Sequence, residues 1–124
     1  MPPAPEPPIA LYSVELRTSR WGEMVAWYRS ALGLRVLVRV VDEGYALIAA
    51  GSTRLALLAR EETSGPSGRW SLGFEVDDLD AALRRLAAAG TVAPPPQAHA
   101  EGFREVIVGD PDGNRVRLFE WPHH

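Results

Sequence analysis

Arg115 and Arg117 stand two residues apart in the segment "NRVRLFEW" (114–121), and Phe119 continues the same spacing. A guanidinium is a planar fork that pairs with carboxylate or phosphate through two parallel hydrogen bonds, and it does not deprotonate in proteins. Positions i, i+2 and i+4 of a strand share one face. Two further segments alternate in the same way. "YSVELRT" (12–18) sets Ser13, Glu15 and Arg17 against Tyr12, Val14 and Leu16, and "WSLGFEV" (70–76) sets Ser71, Gly73 and Glu75 against Leu72, Phe74 and Val76. If the apolar set of each strand meets a helix layer, the other faces gather two glutamates, up to three arginines, two serines and a phenylalanine. Such a group supports three chemistries. Glu15 and Glu75 can neutralise Arg17 and Arg117, because a charge taken from water needs a partner. Arg117, with Arg115, can grip a ligand carboxylate or phosphate. Glu15 or Glu75 can serve as a general base in metal-free chemistry.

Other reactive residues are few. The 124-residue chain has no cysteine, which excludes disulfides, thiolate catalysis and cysteine-zinc sites. Of three histidines, His123 and His124 end the chain, and His99 lies in a proline-flanked irregular stretch that reads as a bystander. There is no Ser-His-acid arrangement and no glycine-rich phosphate loop. Among the four tryptophans, Trp27 belongs to a helix stripe, whereas Trp21, Trp70 and Trp121 stand at element ends, where aromatics suit flat ligands or subunit seams. The formal net charge of −3 offers no electrostatic case for nucleic acid or an anionic membrane. Neither a leader-like N-terminus nor a membrane-length apolar run is present, so a cytoplasmic protein is the expectation.

The elements that must position these residues follow from periodicity. Residues 1–9 form a proline-rich arm. A first unit spans residues 10–60. Its opening strand at 12–18 leads to a helix capped by Thr18 or Ser19, with Met24, Trp27, Tyr28, Ala31 and Leu32 on its apolar stripe and Gly33 ending it. Three β-prone runs follow at 35–41, 45–50 and 54–60, punctuated by Asp42-Glu43-Gly44 and Gly51-Ser52-Thr53. A polar linker covers 61–69. A second unit, 70–122, repeats the order: a strand at 70–76, a helix capped by Asp77 or Asp78 with Leu79, Ala82, Leu83 and Leu86 inward, and Gly90 as its stop. The prolines at 94–96 demote the next stretch to an edge strand or loop. Strands at 103–109 and 114–121 close as a hairpin around Asp110-Pro111-Asp112-Gly113. The fold class is thus α+β, with a βαβββ unit occurring twice.

This order, with three end motifs, resembles the vicinal oxygen chelate superfamily of glyoxalase I, extradiol dioxygenases, fosfomycin-resistance enzymes and bleomycin-resistance proteins. The resemblance rests on "WYRSALGL" (27–34), "LGFEVDDLDAAL" (72–83) and "DPDGNRVRLFE" (110–120), and covers roughly residues 10–121. It implies two βαβββ modules forming a curled mixed-sheet cup with helices outside, usually as a dimer. In the metal-dependent members three strand positions supply the ligands, and here those positions hold Ser13, Ser71 and Arg117. A serine hydroxyl is a poor ligand for a divalent metal, and an arginine repels it.

The expectation is therefore a protein without metal or cofactor that binds and sequesters a small molecule, such as an antibiotic, as bleomycin-resistance proteins do. Its ligand contacts are expected from Ser13, Glu15, Arg17, Trp70, Ser71, Glu75, Arg115, Arg117, Phe119 and Trp121. It is expected to be a homodimer, with neither nucleic-acid nor membrane partners. Bleomycin itself is cationic, and this residue set is as rich in arginine as in acid, so an acidic or planar aromatic ligand fits equally. The rival is a metal-free lyase, isomerase or cyclase with Glu15 or Glu75 as base and Arg117 as anion partner. A third alternative draws metal ligands from other strands.

Overall fold

The structure, a computed structural model, describes residues 8–122. Most of the expected N-terminal arm, and His123 and His124, lie outside the described residues. The elements run β1 (Ser13–Thr18), α1 (Trp21–Ser30), β2 (Val36–Val40), β3 (Tyr45–Ala50), β4 (Thr53–Ala59), β5 (Leu72–Glu75), α2 (Leu79–Ala88), β6 (Gln97–Ala98), β7 (Arg104–Gly109) and β8 (Arg115–Glu120). They build two four-stranded mixed sheets, ordered β1-β4-β3-β2 and β5-β8-β7-β6. In each sheet the opening strand pairs in parallel with the last strand of its own unit, and the remaining pairs are antiparallel.

Alternation explains the layering. On β1, Leu16 and Thr18 are buried while Glu15 and Arg17 are exposed. On β8, Val116 and Leu118 are buried and Arg117 is not. The inward residues of both sheets meet both helices in one core. It joins Leu16, Ile48, Leu55 and Leu57 from the first sheet to Met24, Val25 and Tyr28 of α1. It continues through Leu79 and Leu86 of α2 to Val106, Val108, Val116 and Leu118 of the second sheet. Glu15 and Arg17 of β1, Glu75 of β5, and Arg115 and Arg117 of β8 are left on the faces turned away from the helices, whereas Glu120 of β8 is turned towards α2.

Local chemistry sets the ends. Asp78 caps α2, its carboxylate accepting from the Ala81 amide at 3.0 Å. The Leu79 amide at the same helix start donates to Glu120 Oε2 at 2.5 Å, tying α2 to β8. The start of α1 differs from expectation. Its N-cap position is Arg20, which makes no side-chain cap, and Thr18 Oγ1 instead accepts from the Arg20 amide at 2.9 Å, just ahead of the helix.

Two further expectations are corrected. Tyr12 is not in the core. It precedes β1, is 61% exposed and lies under the Arg54 guanidinium at 4.4 Å, a cation–π contact at the chain's entry to the sheet. Trp21, expected to be poorly accounted for by the core, packs against it, and its indole N–H donates to the Leu57 carbonyl at 3.0 Å. Among the described residues, no helix is long and apolar enough to cross a membrane.

Candidate functional site

The β7–β8 turn is closed by a dense set of hydrogen bonds. Asp110, almost fully buried, accepts through Oδ1 from the amides of Asp112 and Asn114, each at 2.9 Å, and through Oδ2 from Asn114 Nδ2 at 2.9 Å. Gly113 sits at φ +83°, a backbone that only glycine adopts freely, and its amide closes on the Asp110 carbonyl at 2.8 Å. Tyr28 of α1 donates to Asp110 Oδ2 at 2.7 Å. Burial, then the neighbouring Asp110 charge, pushes the Tyr28 phenol far above its ordinary value, so it stays protonated.

This turn fixes the register of the hairpin. Gly109 faces Arg115, Ile107 faces Arg117 and Glu105 faces Phe119. Glu105 and Arg117 are thereby diagonal neighbours on the outer face, and Arg117 Nε donates to Glu105 Oε2. The other carboxylate oxygen lies 3.0 Å from His99 Nε2. The Arg117 guanidinium also rests over two rings, Phe119 at 4.5 Å and Phe103 at 5.3 Å. His99 stacks on Phe103 at 4.4 Å, and Trp121 meets Phe103 and Phe119 edge-on at 5.5 and 5.9 Å. The Arg117 hydrogen bond holds the Glu105 carboxyl below the usual carboxylate range, outweighing its burial, with His99 adding to the effect.

A second grouping lies on the outer face of the first sheet. Linker residues 62–67 pass over the end of β1, and with Trp70 they wall a pocket of about 500 Å³. Glu15, Leu16, Arg17, Asp112 and Asn114 complete it, and Glu62 is the acidic member of the linker wall. Three carboxylates therefore share this pocket with one guanidinium.

The structure thus divides the expected site. Glu15, Arg17 and Trp70 come together in the linker pocket. Arg117, Phe119 and Trp121 come together around Glu105. Ser71 lines a separate pocket of about 340 Å³ with Gly73 and Arg54, and Ser13 is opposite Arg54 in the β1–β4 register. Glu75 is exposed at the edge of a smaller apolar pocket that includes Phe74 and Leu118, and Arg115 is exposed beyond the second cluster. Arg117 pairs with neither Glu15 nor Glu75, because the hairpin places Glu105 nearer. Three residues of the second cluster, His99, Phe103 and Glu105, are absent from the sequence-based set. The signal for two of them was available: Phe103, Glu105 and Ile107 share the parity of the outer face in "FREVIVG". His99 carried no such signal, since it stands just beyond the two-residue strand β6.

The sequence matches the glyoxalase/bleomycin resistance protein/dioxygenase superfamily over residues 10–118. The chain belongs to that superfamily. Solved structures of similar fold include lactoylglutathione lyase from Agrobacterium tumefaciens, 21% identical, with a TM-score of 0.69 over 93% of this chain and 96% of that one. TioX from Micromonospora sp. ML1 is 24% identical, with a TM-score of 0.72 over 91% and 99% of the two chains. A glyoxalase/bleomycin resistance protein/dioxygenase from Nocardioides is 22% identical, with a TM-score of 0.72 over 94% and 86%. These identities establish the shared fold alone. Comparison with curated proteins gives no match.

The metal site of the superfamily's metal-dependent members can be tested against these side chains. Of the three positions, two are serines, and the third is Arg117, already bound to Glu105. A guanidinium offers no lone pair to a cation. Among the described residues, no three His, Cys, Asp or Glu side chains are grouped to hold a metal ion. The donor set at the usual positions does not fit a divalent metal, and no chemical step is derived through one.

Proposed function

We propose that this superfamily member is a metal-independent binding protein that sequesters a small organic molecule, with the linker pocket as its site. The observation that carries this reading is the composition of that pocket. At about 500 Å³ it is of drug-binding size, for which the usual range is ~300–1,000 Å³. Glu15, Glu62 and Asp112 outnumber Arg17, and the Trp70 ring, 40% exposed, offers a flat apolar wall. Such a site favours a cationic ligand carrying an aromatic part, a description that includes cationic antibiotics. With Arg117 held by Glu105, the arginine excess expected on this face does not reach the pocket.

Sequestration requires only that the ligand lose water against Trp70 while its positive groups meet carboxylates. Glu15 and Glu75 are both exposed, and neither is enclosed by apolar side chains as a general base would be, which supports binding over metal-free catalysis. The resemblance carries a homodimer as part of this proposal, and a mass that stays monomeric at every concentration would remove that part.

Tryptophan fluorescence titration with bleomycin as the cationic probe tests the reading, with a neutral aromatic of similar size as comparator. Saturable quenching by the cation, weakened by salt and by Glu15→Gln, is expected. Equal affinity for both probes would overturn it, as would about one equivalent of tightly bound divalent metal per chain by elemental analysis.

A further inference from the structure

We propose that His99, Glu105 and Arg117 form a proton-gated anion site on the outer face of the second sheet, taking the carboxylate of an aromatic acid. It uses none of the linker-pocket residues, so it stands or falls separately from the reading above.

The two oxygens of Glu105 have different neighbours. Oε2 accepts from Arg117 Nε, and Oε1 is 3.0 Å from His99 Nε2. The imidazole contact is close enough for an ion pair but not aligned as a hydrogen bond, and Nε2 is buried with no hydrogen-bond partner. One carboxylate thus lies between two groups that can each be cationic. With His99 neutral, Glu105 and Arg117 sum to zero charge and the site has little pull on an anion. With His99 protonated, the imidazolium takes a share of Glu105 and the three groups sum to +1. Anion binding and protonation of His99 then favour each other by the same factor.

Arg117 also has an open side. Its Nε faces Glu105, while Nη1 reaches across towards Gly73, its neighbour on β5. A Cβ built on Gly73 would lie 3.8 Å from Nη1, so the missing side chain leaves room beside the Nη edge. That edge of a guanidinium fork accepts a carboxylate end-on, through two parallel hydrogen bonds. Phe119 lies two residues away on the same face, and Trp121, half exposed, is edge-on to it. The exposed face of Trp121 offers a flat surface for the acid's ring.

The other charged groups nearby do not cancel this logic. Glu75 faces Phe119 from β5 and is exposed, and Arg115 is exposed further along β8. Arg104, the neighbour of Glu105 on β7, points to the opposite face, 3.5 Å from both Asp80 and Glu120. Gln97, opposite Glu105 on β6, is neutral.

Isothermal titration with 2-naphthoate tests the proposal, run between about pH 8 and about pH 5.5, where the probe stays ionised. Affinity should rise on acidification, by up to ~10-fold per pH unit for one linked proton, and paired buffers should report proton uptake. Glu105→Gln should leave Arg117 uncompensated and bind naphthoate at pH 8 at least as tightly as the parent does in acid. His99→Gln should hold the affinity at its weak, alkaline level. Gly73→Val, which leaves all three groups in place, should block binding. Circular dichroism checks the fold of each variant. The proposal fails if the parent's affinity does not change with pH, if Glu105→Gln binds more weakly at pH 8 while still folded, or if Gly73→Val binds as the parent does.

Discussion

The Tyr28 hydroxyl and the Asp110 carboxylate, 82 residues apart in sequence, meet in a 2.7 Å hydrogen bond inside the core. The bond joins the helix of the first unit to the turn that sets the hairpin register of the second. Tyr28→Phe removes the one donor among the described residues that reaches Asp110 from outside its own turn. A hydrogen bond to a buried charged group contributes about 1.5–3 kcal/mol, and urea denaturation at neutral pH should show a loss of that order.

The same pair predicts an alkaline limit. The folded-state pKa of Tyr28 lies above its unfolded value of about 10. Its contribution is therefore complete below about pH 10 and is lost as pH rises beyond that. Stability of the parent should fall between about pH 9.5 and about pH 11 more steeply than that of Tyr28→Phe. Parallel curves would show that the phenol does not govern this limb.

At the acid end the sign reverses. Arg117 holds the Glu105 carboxyl below the usual range, so its stabilisation is present above the unfolded value of about 4.3 and lost as pH falls towards the folded value. Glu105→Gln should flatten the acid limb of stability against pH. At neutral pH the same change should cost about 1–2 kcal/mol, since it leaves a part-buried guanidinium without its charged partner.

Trp70→Ala tests the linker pocket. Loss of an aromatic wall should weaken binding of a cationic aromatic probe by about 0.5–1.5 kcal/mol, measured by calorimetry, with thermal stability nearly unchanged because the ring is already substantially exposed. Trp121→Ala should leave that affinity intact, because Trp121 belongs to the other cluster.

Leu86→Ala probes the shared core. Leu86 is fully buried on α2 within a cluster that includes both sheets. A cavity there should cost about 2–5 kcal/mol, in one transition that moves signals from both halves together. Two separate transitions would mean that the halves unfold independently.

Much of this arrangement was legible in the sequence. Apolar alternation put Leu16 of β1 and Val116 and Leu118 of β8 inward correctly but misplaced Tyr12, Asp78 was one of two candidate caps, and the Asp-Pro-Asp-Gly turn announced its hairpin. The Arg117–Glu105 pair was readable in principle, since a closed turn at Asp110–Asn114 fixes every pairing along both strands. What could not be read was long-range. Strand periodicity says nothing about where residues 62–67 travel, so the acidic pocket they make with Glu15 and Asp112 was hidden. Val25 was missed because it adjoins Met24 on a helix that the core touches over a broader arc than one narrow stripe.

The single core has a consequence for how the protein is made. Met24, Val25 and Tyr28 of α1 share that core with Val106, Val108, Val116 and Leu118. At ~5–20 residues per second, translation needs several seconds to go from α1 to the final hairpin. Throughout that interval the nascent first half shows an apolar face that only the C-terminal half can cover. A chain cut short within the 61–69 linker would therefore carry that apolar face uncovered.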